Sequence, residues 1–261
     1  MSEGESEFEL ALLTARGRAA PPMSLARQVT DLSQAYRIQR RVAAAANLPV
    51  MVWKIGLTGT AGRAAFGAAE PAIGRLAASS IYSNASSILY QEPELYAEAE
   101  LVFEMASDLP MQKDPYSRAQ VAGALKAVYA GIEIVRTRFA NSDLSLGQLV
   151  ADNCMAEGLV LGRKLADGWE DHFADMPVTL LRQSGNGPGE IATGGTSLVM
   201  GNPLDALVWL ANWLRANEGI SLTREQLIAS GTCTGATRIF AGDTVVVSFD
   251  GVDSAKVKLD R

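Results

Sequence analysis

Three carboxylates and one lysine hold the chemical interest of this 261-residue chain. Glu98 and Glu100 lie in Ala97-Glu98-Ala99-Glu100-Leu101-Val102-Phe103-Glu104-Met105, where the odd positions are apolar and three of the four even ones are Glu. That alternation is the period-two signature of a strand, so Glu98 and Glu100 project from one face and could share a hard cation. A polar face turned to solvent is the commoner meaning of such a pattern, and Glu104 on the same side fits it. Glu133 sits in the apolar run Ile132-Glu133-Ile134-Val135. A carboxylate there is costly to bury unless it pairs with Arg136 or Arg138, or ligates a metal. Lys54 is likewise set in an apolar strand, Val52-Trp53-Lys54-Ile55, that runs into Gly56-Leu57-Thr58. Its ammonium either snorkels at a strand end or, beside a metal site, stabilises developing enolate charge.

Other chemistries find little to work with. The single histidine, His172, follows Asp171 in a charged segment, so a histidine metal site or a Ser-His-Asp triad would have to use it. Gly185-Asn186-Gly187-Pro188-Gly189, Gly194-Gly195 and Gly201 lack the spacing of a phosphate loop or dinucleotide fingerprint, and no nucleotide cofactor is expected. A net charge of -6 argues against nucleic acid, because phosphate binding needs basic clusters. Two cysteines far apart, Cys154 and Cys233, form no disulfide framework and suit a reducing compartment. The first seven residues are acidic where a secretory signal would be basic, and serines break the longest uncharged stretch, Leu76 to Gln91. The expectation is a cytoplasmic protein with no membrane contact, whose partner is a small molecule or another copy of itself.

The elements that must position these residues can be sketched from periodicity. Apolar residues recur at helical spacing from Phe8 to Arg18 and from Ser33 to Ala46, with Pro21-Pro22 enforcing a break between them. Val50 to Leu57 reads as a strand, and Ile81 to Tyr90 as irregular structure or short strands. Ser117 to Tyr129 reads as a helix capped by Ser117 and closed near Gly131, running into a strand from Ile132 to Val135. Pro203 starts a helix through Asn217 that Gly219 ends. Gln226 to Gly231 and Asp243 to Leu259 read as β-rich, the latter turning at Asp250-Gly251. With 48% hydrophobic and 20% charged residues and no repeat, the chain reads as a single α+β catalytic domain over 1–261. A helical N-terminal part spans 1–48 and a β-rich metal-binding core 49–261.

Taken in order, several segments resemble the 2-keto-4-pentenoate hydratase and 4-oxalocrotonate decarboxylase branch of the fumarylacetoacetate hydrolase superfamily. They are Trp53-Lys54-Ile55-Gly56-Leu57-Thr58, Glu98-Ala99-Glu100, Glu133-Ile134-Val135 with Arg138, Val150-Ala151-Asp152-Asn153 and Ala192-Thr193-Gly194-Gly195. Further pieces follow: Gly201-Asn202-Pro203-Leu204, Trp209-Leu210-Ala211-Asn212, Ser230-Gly231 and Ala241-Gly242-Asp243-Thr244. The resemblance implies a mixed β-roll core with surrounding helices, a homo-oligomer, and Mg²⁺ or Mn²⁺ held by Glu98, Glu100 and Glu133. It places Lys54 and Asp152 in catalysis, and Lys54, Leu57, Thr58 and Thr193 beside the substrate. The implied activity is that of a hydro-lyase acting on a 2-hydroxy-2,4-dienoate or 2-oxo-4-enoate through a stabilised dienolate. Decarboxylation or carbon-carbon hydrolysis of a related 2-oxo acid, and metal binding without turnover, are the alternatives.

The chain departs from that family's pattern where protons are handled. Pro71-Ala72-Ile73-Gly74 has Ala72 where the family usually carries aspartate, and Cys154-Met155-Ala156 stands in place of Ala-Ser-Ser. Arg136-Thr137-Arg138 replaces Asp-Ser-Arg, and Tyr96 replaces a basic residue. The general acid-base is therefore open between Asp152, Glu104 and water.

Overall fold

The computed structural model describes residues 3–15, 29, 31–45, 49–90, 94–140, 143–184 and 189–261. The expected break at Pro21-Pro22 and most of the Gly185–Gly189 segment lie outside them. Two helices come first, α1 (Glu3–Ala15) and α2 (Leu32–Ala45), close to where the spacing predicts them. In α2 the buried stripe is Ala35, Ile38, Gln39 and Val42, the i, i+3, i+4, i+7 pattern of a helix with one core face. It packs with Phe8 and Leu12 of α1 and with Phe139, Val150 and Ala151.

The rest of the chain is strand-rich. It runs β1 (Val50–Gly56), α3 (Thr60–Phe66), β2 (Ala72–Ala77), β3 (Ile81–Ser83), β4 (Ser87–Leu89) and β5 (Leu95–Met105). Then come α4 (Arg118–Gly123), β6 (Leu125–Val135), α5 (Leu146–Ala151), β7 (Ala156–Ala166), β8 (Pro177–Gln183) and β9 (Glu190–Gly195). It ends with α6 (Pro203–Asn217), β10 (Leu227–Ala229), β11 (Thr237–Ile239), β12 (Thr244–Phe249) and β13 (Val252–Asp260). One mixed sheet has the order β2-β1-β10-β5-β6-β7-β3, with β11 also paired to β5, and a second has the order β4-β13-β12-β8-β9. Their facing side chains make one core with α6, including Phe103, Val128, Val160, Val245, Val247, Leu207 and Leu210. The architecture is the expected α+β arrangement of mixed sheets with helices around them.

The helix read over Ser117 to Tyr129 is corrected. Ser117 does cap a helix, in a reciprocal box with Gln120, but that helix ends at Gly123 and Leu125–Val135 is one continuous strand. β6 is sandwiched between β5 and β7 and buried on both faces over much of its length, so it loses the alternation that marks a strand. Among the described residues no helix is long and apolar enough to cross a bilayer.

Candidate metal centre and its cavity

Strand register brings the three carboxylates together. Glu98 on β5 stands directly opposite Glu133 on β6, and Glu100 follows two residues along the same face. One oxygen from each of the three lies within 4.8 Å of the others. Lys54 reaches the same place from β1, its Nζ 3.3 Å from Glu133 Oε1, with both side chains almost fully buried. Two sequence alternatives fall here. Lys54 does not snorkel, and Glu133 pairs with Lys54 and not with Arg136 or Arg138, which are held by Glu157. Glu104 is not in the cluster: it accepts from Lys126 and Tyr129, both at 2.8 Å.

Close backbone packing makes room for the lysine. Across from Lys54 on β2 is Gly74, where a Cβ would come within 2.7 Å of Lys54 Cγ and 2.6 Å of Asn153 O. Gly231 has φ +106 and abuts the Thr58 side chain, leaving no space for a Cβ, and its N–H donates to Glu100 Oε2 at 2.8 Å.

The electrostatics are unbalanced. Burial raises the Glu98 carboxyl to about 7, with Lys54 opposing the rise and Glu133 adding to it. Burial, then Glu133 and Glu98, hold Glu100 well above the usual carboxylate range, and burial raises Glu133 against the pull of Lys54. Burial by itself would lower Lys54, but Glu133 and Glu98 more than reverse that and keep it an ammonium. Three carboxylates against one ammonium leave excess negative charge in a buried site. Among the described residues no donor reaches Glu100 Oε1 or Glu133 Oε2. Buried oxygens of this kind are normally satisfied, and an all-carboxylate set that converges on one point fits a hard divalent cation.

Glu98 and Lys54 open on a cavity of about 520 Å³. Leu57 and Thr58, which the family resemblance puts beside a substrate, are among the residues that line it. Thr193 does not: it is paired with Thr179 in the second sheet, outside the cavity wall. Asp152 is also absent from the wall. It is fully buried at the end of α5, accepting from the Arg138 N–H at 2.9 Å with Arg138 Nη1 3.6 Å from its other oxygen.

Several wall residues escaped sequence reading: Phe66 of α3, Leu149 of α5, Leu198 and the Thr232–Ala236 segment, while Met155 stands out in the sequence as a departure from the family pattern. The short α3 did carry a signal, an Ala-rich stretch ended by Gly67 in the left-handed conformation. Of Asn153, Cys154 and Met155, only Asn153 is of a type that favours positive φ. All three have φ between +51° and +62°, a conformation costing non-glycine residues roughly 1–3 kcal/mol each. The strain is held in place by its neighbours. The Asn153 side chain brackets Arg75, accepting from its N–H at 3.0 Å and donating to its carbonyl at 2.8 Å. Cys154 Sγ lies 3.1 Å from Ile73 O, and Gln39 of α2 donates to both Ile73 O and Val150 O at 2.8 Å. Cys154 and Met155 are thereby presented to the cavity.

Comparison with known proteins agrees with this geometry. No family model matches the chain. It is 28% identical over 238 residues to a 2-keto-4-pentenoate hydratase of Paraburkholderia phymatum, covering 88% of this chain and 87% of that one. It is 27% identical over 263 residues to a 2-hydroxyhexa-2,4-dienoate hydratase of Comamonas testosteroni, covering 98% and 96%. The chain is a divergent relative of the 2-keto-4-pentenoate hydratases. Among solved structures, 4-oxalocrotonate decarboxylase from Pseudomonas putida G7, complexed with magnesium and adipate, superposes with a TM-score of 0.81 at 23% identity, covering 98% of this chain and 95% of that one. The chain therefore shares the fold of this decarboxylase. Positions at which the sequence departs from the pattern it resembles fall close to the cavity. Ala72 lies opposite Gly56 at the end of β1, and Cys154 and Met155 form part of the wall.

Proposed function

We propose that this chain is a metal-dependent hydro-lyase that adds water to a 2-hydroxy-2,4-dienoate or its 2-oxo-4-enoate tautomer, giving a 4-hydroxy-2-oxo acid. The observation that carries this reading is the convergence of three carboxylates, Glu100 and Glu133 buried and Glu98 half-buried, beside the buried ammonium of Lys54 at the wall of a cavity. The names of the hydratase relatives point the same way. Glu98, Glu100 and Glu133 would hold Mg²⁺ or Mn²⁺, since an all-oxygen donor set selects hard cations. Such a cation supplies Lewis acidity and a template for a carboxylate and its adjacent 2-oxo group.

The protein's own groups then have distinct tasks. Lys54 turns its charge toward the oxygen that becomes enolate, and its burial makes that charge count for more than it would in water. Leu57 and Thr58 fix the position of the substrate's head, and the apolar wall keeps bulk water from the reacting carbons. Asp152 acts through structure: it holds the Arg138 backbone and directly precedes the strained turn that presents Cys154 and Met155. The helical N-terminal part belongs to the same catalytic unit, because Gln39 ties α2 to the strand and helix on either side of that turn.

The test is to follow the ultraviolet absorbance of 2-hydroxypenta-2,4-dienoate with Mg²⁺ or Mn²⁺, after chelation, and after metal is returned. Cation-dependent loss of the diene is expected. Release of CO₂ from 4-oxalocrotonate without hydration would reassign the chain as a decarboxylase. Full hydration in buffer verified free of metal would overturn the metal centre.

A further inference from the structure

We infer that the cavity selects acids with one carboxylate and a bulky apolar tail, and disfavours those that end in a second carboxylate. This rests on reading Lys54 and the three glutamates as the end that takes the acid's head. Lys54 and Glu98 are the charged residues of the wall, and both belong to that end. Beyond them the wall is built largely from Leu57, Phe66, Val135, Leu149, Met155 and Leu198.

The arginines of the adjoining segments are engaged elsewhere. Arg63 of α3 donates to the carbonyls of Leu57 and Thr58 at 3.1 and 2.6 Å. Arg136 and Arg138 hold Glu157, and Arg238 holds Glu94 at 2.7 Å while lying over the Phe240 ring. Among the described residues of the wall a second carboxylate would thus leave water with no free cation to meet it, and that penalty is large. An apolar tail gains roughly fourfold in affinity for each methylene buried.

Size agrees with charge. At a water's share of about 30 Å³ per heavy atom, a five-carbon dienoic acid fills at most roughly half of the cavity. The remainder lies mainly against apolar side chains, with the hydroxyls of Thr60, Tyr96, Thr232 and Thr234 as its neutral polar groups. The tail therefore extends well past the reacting carbons and is branched or aromatic.

The experiment is calorimetric titration of the Mn²⁺-loaded protein with pyruvate, 2-oxo-5-phenylpentanoate and 2-oxoadipate, which needs no turnover. Pyruvate should bind weakly, the phenyl acid at least about tenfold more tightly, and 2-oxoadipate no more tightly than pyruvate. Phe66→Arg, made at a half-buried position of a short helix, should weaken the phenyl acid and tighten 2-oxoadipate about tenfold. If 2-oxoadipate binds the unaltered protein as tightly as the phenyl acid, or Phe66→Arg brings it no gain, the inference about the tail fails while the reading of the head stands. If pyruvate and both longer acids fail to bind, the reading of the head fails and takes the inference with it.

Discussion

Two buried charged clusters flank the end of β6, and they are built on opposite plans. On the strand itself, Glu133 joins Glu98 and Glu100 against the single ammonium of Lys54. Just past it, Arg136 and Arg138 face Glu157 and Asp152, two cations for two anions, with Arg138 also donating to the carbonyls of Arg136 and Ala156. The second cluster is neutral in sum and tied to the main chain through Arg138, which offsets part of its desolvation, although among the described residues Arg136 Nη2 and Arg138 Nε meet no acceptor. The first keeps a formal excess of carboxylates, and through Glu98 and Lys54 it reaches the wall of a cavity. Burial of charge alone does not mark a functional site. An imbalance that the protein leaves unresolved does.

The sharpest way to break this comparison is to remove one cation from the balanced cluster. Arg138→Ala removes the guanidinium that faces Asp152 and Glu157 and should cost about 3–5 kcal/mol of folding stability, read by denaturant unfolding of the metal-free protein. By the same measurement Glu98→Gln should cost nothing or stabilise, because it relieves repulsion. Similar losses in both variants would erase the distinction.

Next in size is Lys54→Ala. If the ammonium serves the enolate, turnover falls on the order of 100-fold or more while the variant still melts cooperatively. An unchanged turnover rate would leave Lys54 as a counter-ion of Glu133 and nothing more.

A smaller effect concerns pH. The Glu98 carboxyl is raised from 4.5 to about 7, so the folded metal-free protein retains a proton that the unfolded chain has released over that interval. The stability it contributes is complete below 4.5 and is lost as pH rises through about 7. Between pH 5.5 and 8 the metal-free melting temperature should therefore drop by a few degrees, where about 1 kcal/mol corresponds to about 2–4 °C in a chain this long. Glu98→Gln should flatten that drop, and an equal slope in both proteins would show that Glu98 is not the group responsible.

The same contrast explains what could be read from sequence. The alternation around Glu98 and Glu100, and the isolated charges of Lys54 and Glu133 in apolar runs, are local patterns, and the register of β5 with β6 made them one site. β6 itself was half hidden, because a strand buried on both faces does not alternate. The wall was harder still. Leu149, Leu198 and Ala236 come from separate segments joined only by the fold, and in the left-handed turn at Asn153–Met155 only Asn153 is of a type that favours positive φ. Thr193 shows the converse: its segment fits a family motif, yet its strand carries it outside the cavity wall.

The central claim is that Glu98, Glu100 and Glu133 form one divalent-cation centre, and titration of Mn²⁺ by calorimetry tests it most directly. Glu98→Gln, Glu100→Gln and Glu133→Gln should each weaken binding tenfold or more, since each removes a charge from the cation's coordination sphere. Glu104→Gln, on the same strand but paired with Lys126 and Tyr129, should stay within a few-fold of the unaltered protein. Equal affinities across all four variants would contradict the metal centre.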